Sequence, residues 1–216
     1  AAYWTQPCRF VQTKDIGAVT FDNPIGDTTA FKGTYNGQNY TVESLTVTGN
    51  ANYAGMFGLF TGAFVRNLNV DGLTLTGATN GSVGLIAAVN AAAAIDNINL
   101  NNVDVSAITG AANSAGLIGV IDDSVVTVNN VSVTFAANKD ISGKSAAGLI
   151  GTAGAGTSIA DAKVTTQGTG AITGATYASG LVGLFNGTVI NNANVTLSAA
   201  LSTTGENSFV GGIAGN

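Results

Sequence analysis

The stretch Ser114-Ala115-Gly116-Leu117-Ile118-Gly119 decides the fold, because it returns along the whole chain. Before it stand Tyr53-Ala54-Gly55-Met56-Phe57-Gly58 and Ser82-Val83-Gly84-Leu85-Ile86-Ala87. After it come Ala146-Ala147-Gly148-Leu149-Ile150-Gly151, Ala178-Ser179-Gly180-Leu181-Val182-Gly183 and Val210-Gly211-Gly212-Ile213-Ala214-Gly215. The turn glycines Gly55, Gly84, Gly116, Gly148, Gly180 and Gly212 are spaced 29, 32, 32, 32 and 32 residues apart. A fixed period of this size belongs to stacked repeat architectures, where each unit buries its apolar face against the next.

A second element recurs between these copies. It reads Asn67-Leu68-Asn69-Val70, Asn97-Ile98-Asn99-Leu100, Asn130-Val131-Ser132-Val133, Asp161-Ala162-Lys163-Val164 and Asn192-Ala193-Asn194-Val195. The alternation has period two, a strand with one face inward. Stacked asparagines at the strand entrance can hydrogen-bond from coil to coil. The expected fold is all-β, a parallel β-helix (β-solenoid) with coils of about 32 residues, and six coils would stand roughly 30 Å tall. Met56, Leu85, Leu117, Leu149, Leu181 and Ile213 are expected to form one core column. Gly-Leu-Ile-Gly read as a strand sends the next residue outward. That leaves Phe57, Ile86, Ile118, Ile150 and Val182 either covered by another element or exposed as a stripe. Covering is favoured, because large bare apolar patches are uncommon.

Residues 1–30 do not fit the repeat and are expected to form an N-terminal cap or assembly segment, with 31–216 as the solenoid. They hold both prolines, Trp4, Cys8, Phe10 and Phe21. A solenoid needs an atypical end unit over its open core and its strand edge. The chain stops within a repeat, which leaves two readings open. One is head-to-tail self-association through Trp4, Phe10 and Ile213, growing a filament. The other is a fragment of a longer chain.

The segment after the cap reads Phe31-Lys32-Gly33-Thr34-Tyr35-Asn36-Gly37-Gln38-Asn39-Tyr40-Thr41-Val42-Glu43-Ser44-Leu45. Followed by six Gly-Leu-Ile/Val-Gly-type units, it resembles the GLUG-repeat proteins of bacterial surfaces. The resemblance covers residues 31–216 and departs from the pattern at Ala87 and Ala214. It implies a secreted or cell-surface, adhesin-like protein with a host or cell-surface receptor or glycan as partner, and it brings no catalytic residues.

Composition narrows the function classes. Charged residues are 9% of the chain, against roughly 25% in ordinary soluble proteins. The net charge of −5 argues against nucleic acid, which calls for a basic stripe. No apolar run approaches the roughly 20 residues of a membrane-spanning helix. Cys8 is the only cysteine, so there is no internal disulfide framework. With no histidine, the His-dependent triads are out of reach, and neither a cofactor nor a metal is expected. The candidate carboxylates Asp71, Asp96, Asp104, Asp122, Asp123 and Asp161 read as solvated turn or strand positions. Asp122-Asp123 matches no calcium-loop spacing. The expected function is structural and adhesive, without catalysis. The alternatives are a polysaccharide-active β-helix enzyme and an ice binder. An external groove gathering three or more charged or aromatic side chains would favour the first. A flat threonine ladder would favour the second; Thr46-Val47-Thr48 and Thr74-Leu75-Thr76 begin one, and Asp104-Val105-Ser106 and Thr134-Phe135-Ala136 interrupt it.

Overall fold

The computed structural model describes residues 5–78, 81–108, 110, 113–198 and 200–215. It is an all-β, parallel β-solenoid of about six turns, with successive coils about 31 residues apart. Three parallel sheets of nine, seven and five strands form its faces. Each full coil visits them in the same order. The coil of the third asparagine motif, for example, runs along the first face as Val126–Phe135, the second as Ile141–Ala147 and the third as Ile150–Ala153.

The Gly-Leu dipeptides are corners, which corrects the expectation of a continuous Gly-Leu-Ile-Gly strand. Gly116 and Leu117 form a bend between Asn113–Ser114 on the second face and Ile118–Ile121 on the third, and the other copies bend likewise. A corner removes the period-two constraint, so two adjacent apolar side chains both point inward. Leu85, Leu117, Leu149 and Leu181 are fully buried, Met56 nearly so, and so are Phe57, Ile86, Ile118, Ile150 and Val182. Ile213 departs from the expected column. It is 41% exposed, because no described coil lies on its outer side.

The six turn glycines do not rely on a left-handed backbone, since none has positive φ. For the five with a described coil against them, the need is space; a Cβ on Gly212 would meet nothing within 4 Å. A Cβ on Gly148 would lie 2.3 Å from the Gly180 carbonyl oxygen and 2.4 Å from Val164 Cγ1. Stacked coils approach too closely there for any side chain.

The asparagines are also corners, lying inside long strands rather than at their entrance. Asn67, Asn97, Asn130 and Asn192 have φ of 50–54°, as does Asp161 at 51°. Asn tolerates this conformation better than most residues. The bend lets residues three apart, such as Ile95 and Ile98, both enter the core. Asn67 Nδ2 donates to Asn36 Oδ1 at 3.1 Å, Asn97 Nδ2 to Asn67 Oδ1 at 2.9 Å and Asn130 Nδ2 to Asn97 Oδ1 at 3.1 Å. The expected ladder therefore spans four coils, and a separate Asn192–Asp161 bond follows. The inward columns hold as expected through Leu68, Ile98, Val131 and Ala162, and Ala193 in the last coil is half-buried.

The solenoid path begins before the repeat does. Arg9–Val11 pairs with Thr34–Asn36, and Val19–Phe21 pairs with Thr41–Val47, all in parallel register. Ile25 and Phe31 bridge to Phe57 and Phe60 on the third face. Residues 9–31 thus lie over the first full coil where a cap is expected, as a shortened coil of the same path. Phe10 packs on Phe31 at 5.8 Å, and Phe31 on Phe57 and Phe60 at 5.0 and 5.2 Å. These rings plug the end of the core, so Phe10 contributes to the lid. Trp4 lies outside the described residues. Cys8 is a half-buried free thiol.

Candidate functional site

The first face carries a groove that follows the stack. Before the asparagine corner, two outward residues per coil flank one inward residue. One outward column is Arg9, Thr34, Phe64, Ala94, Thr127, Ser158 and Val189. The other is Val11, Asn36, Arg66, Asp96, Asn129, Ala160 and Asn191. The register is what unites them, since each residue lies about 30 positions from its neighbour in the column.

At the N-terminal end this surface deepens into a groove of about 510 Å3. Arg9, Thr34, Asn36, Phe64, Arg66 and Asp96 line it. Phe64 is 50% exposed, an aromatic ring on the outside of the sheet, where Val11 and Val189 also face outward. Farther along, a second hollow of about 440 Å3 continues the same face between Thr127, Asn129, Ser158 and Asn191. Arg66 and Asp96 are paired neighbours in the sheet, yet no ion pair joins them. Among the described residues the one salt bridge is Lys139 Nζ–Asp104 Oδ2, at 2.8 Å. Asp96 instead accepts from Asn129 Nδ2 at 2.9 Å.

The external groove with three or more charged or aromatic side chains, the feature that favours the polysaccharide-active alternative, is present here, with Asp96 as the one carboxylate lining it where glycoside hydrolysis commonly calls on a pair. Of these residues the sequence singled out Asp96 alone, as a candidate carboxylate; Arg9, Phe64 and Arg66 did not stand out. A signal was present, since Arg9 and Arg66 are the only arginines and Phe64 is an aromatic at an outward strand position. Seeing them together required the register.

Of the other candidate carboxylates, Asp71, Asp104, Asp123 and Asp161 are occupied in stitching coils. Asp71 Oδ1 accepts from Asn102 Nδ2 at 2.7 Å, and Asp123 Oδ1 from the Ala155 N–H at 2.8 Å. Asp161 takes a bond from Asn192. Burial pushes the Asp104 carboxyl up, but Lys139 and Ser106 outweigh it and hold the group below the usual aspartate range. Burial pushes the Tyr35 phenol up, while its Oη donates to Gln12 Oε1 at 3.2 Å beneath the N-terminal lid. Among the described residues, no three acidic or cysteine side chains form a group able to hold a metal. No helix in the described residues is long and apolar enough to cross a membrane. Thr20, Thr46 and Thr74 stack in register, and Asp104 takes the next place.

No family model, curated protein or solved structure matches the chain.

Proposed function

We propose that the chain is a rigid, non-catalytic element of an extracellular or cell-surface protein, acting as an adhesive spacer or fibre segment. The observation that carries this reading is the continuous parallel register from Arg9 to Thr196 on one face. Each strand inside the stack is hydrogen-bonded on both sides, and each corner recurs in the next coil. Bending such a stack requires breaking ladder bonds and opening apolar columns together. The surface of short polar side chains and the resemblance to bacterial surface repeats support the location and the adhesive role.

Self-association belongs to the same proposal. Among the described residues, Arg9–Val11 and Val189–Thr196 each pair on one side only. An open parallel edge accepts a further strand, from another coil or from another copy. Ile213, Phe209 and Val210 form the apolar part of the last-coil end.

Three measurements test the proposal. Beads coated with the chain should adhere to glycan-bearing cells, and the chain alone should release no reducing ends from uronate or neutral polysaccharides. Sedimentation velocity over a concentration series should show growing mass, reduced by Ile213→Arg. Polysaccharide turnover, or beads that bind no better than uncoated ones, would overturn the adhesive reading. A constant monomer mass would overturn self-association.

A further inference from the structure

We infer that the groove around Phe64 binds a linear glycan carrying carboxylates on alternate sugars. The inference supplies a ligand for the adhesive reading and rests on it for biological setting, but its chemistry comes from the groove. Its starting point is the placement of both arginines in one hollow of a chain with net charge −5. They are 57 positions apart in sequence. Coil stacking brings them to one face, two coils apart, which is about 10 Å along the stack. That is the span of a disaccharide.

Neither guanidinium is held in an ion pair among the described residues. Each is available to take a carboxylate in the two-pronged geometry that arginine favours. Phe64 stands in the coil of Arg66, in register with Arg9 through Thr34. Its exposed ring offers a flat apolar surface of the kind on which the C–H face of a sugar packs. Thr34 and Asn36 add a hydroxyl and an amide at the same hollow. Asp96 decides the ligand class. A carboxylate beside Arg66 repels a dense polyanion such as a nucleic acid or polyphosphate, but it accepts hydrogen bonds from sugar hydroxyls. Beyond it the face is uncharged, with Thr127, Asn129, Ser158 and Asn191 beside Ala160 and the exposed Val189. A chain laid along the stack therefore meets charge at one end and an uncharged surface of mixed polar and apolar groups farther on.

The test is calorimetric titration of the whole chain with a hyaluronan hexasaccharide, whose carboxylates fall on every second sugar. The comparators are a neutral N-acetylglucosamine hexasaccharide and inorganic polyphosphate. The expected result is saturable binding of the hyaluronan probe, preferred over both comparators. Arg66→Gln and Phe64→Ala should each weaken it about tenfold or more. Lys144→Gln, which removes the same charge away from the groove, should leave it unchanged. Thermal melts should confirm that all variants remain folded, as expected for side chains on the outer surface. The inference is overturned by absence of binding, by equal affinity for the neutral hexasaccharide, or by tighter binding of polyphosphate. An equal loss in Lys144→Gln and Arg66→Gln also overturns it. Failure here leaves the adhesive reading to its own bead assay, where a different surface would carry the contact.

Discussion

Gly180 faces the carbonyl of Gly212 so closely that a Cβ on Gly180 would stand 2.4 Å from that oxygen. A Cβ on Gly212 itself would meet nothing within 4 Å. The two glycines occupy the same place in the repeat and differ only in whether a further coil lies against them. Gly180→Ala is therefore expected to destabilise by ~1–3 kcal/mol through forced separation of coils. Gly212→Ala should stay within about 0.5 kcal/mol of the parent. Urea melts of the two variants check this. Equal losses would mean that these glycines serve backbone conformation rather than coil spacing.

The leucine column gives a parallel contrast. Leu117 is fully buried, between Leu85 and Leu149 of the neighbouring coils, whereas Ile213 is largely open. Leu117→Ala should cost ~2–5 kcal/mol, the usual range for a buried leucine whose cavity cannot close. Leu117→Asp adds an unpaired buried carboxylate and should prevent folding. Ile213→Ala removes a side chain that is already partly hydrated and should cost under about 1 kcal/mol. Circular dichroism melts separate these outcomes, and a stable Leu117→Asp variant would refute the column.

These contrasts mark what the sequence conveys and what it withholds. The period, the parallel stack, the buried leucines and the asparagine ladder were legible, because each recurs in most coils with the same chemistry. The corners were not. Gly-Leu-Ile-Gly looks like a strand until Leu117 and Ile118 are both seen buried, and Asn97 looks like a strand start until its φ is known. Residues 9–31 escaped the repeat because the shortened coil lacks its glycine motif, although their pairing follows the same path. The groove was invisible for a different reason. Arg9 lies two coils from Phe64 and Arg66, and only the register brings it beside them.

The asparagine ladder separates two contributions at one position. Asn97 Nδ2 donates to Asn67 Oδ1 at 2.9 Å and to Asn39 Oδ1 at 3.0 Å, its Oδ1 accepts from Asn130, and its φ is 54°. Asn97→Ala loses the bonds and places a poorly suited residue at positive φ, so ~2–3 kcal/mol is expected. Asn97→Gly loses the same bonds without that strain. Its cost should be smaller by about 1 kcal/mol. If glycine proves as destabilising as alanine, the ladder bonds alone account for the residue.

Acid should weaken the clasp between Asp104 and Lys139. Partial burial raises the Asp104 carboxyl, and the stronger pull of Lys139 and Ser106 leaves it below the ordinary aspartate range. A group depressed in the folded state contributes stability above its unfolded value, about 3.9 for aspartate, and that stability is lost as pH falls through the lower folded value. Both side chains are partly open to solvent, so the effect should be modest and screened by salt. Urea melts of the parent and of Lys139→Gln, compared at neutral pH and in the acid range, test this. The parent should be the more stable near neutrality, and the gap should narrow as the pH falls below the ordinary aspartate value. High salt should narrow it at neutral pH as well. A gap that stays constant across the acid range, or one that salt leaves untouched, would show that Lys139 acts through its packed methylene chain and not through its charge.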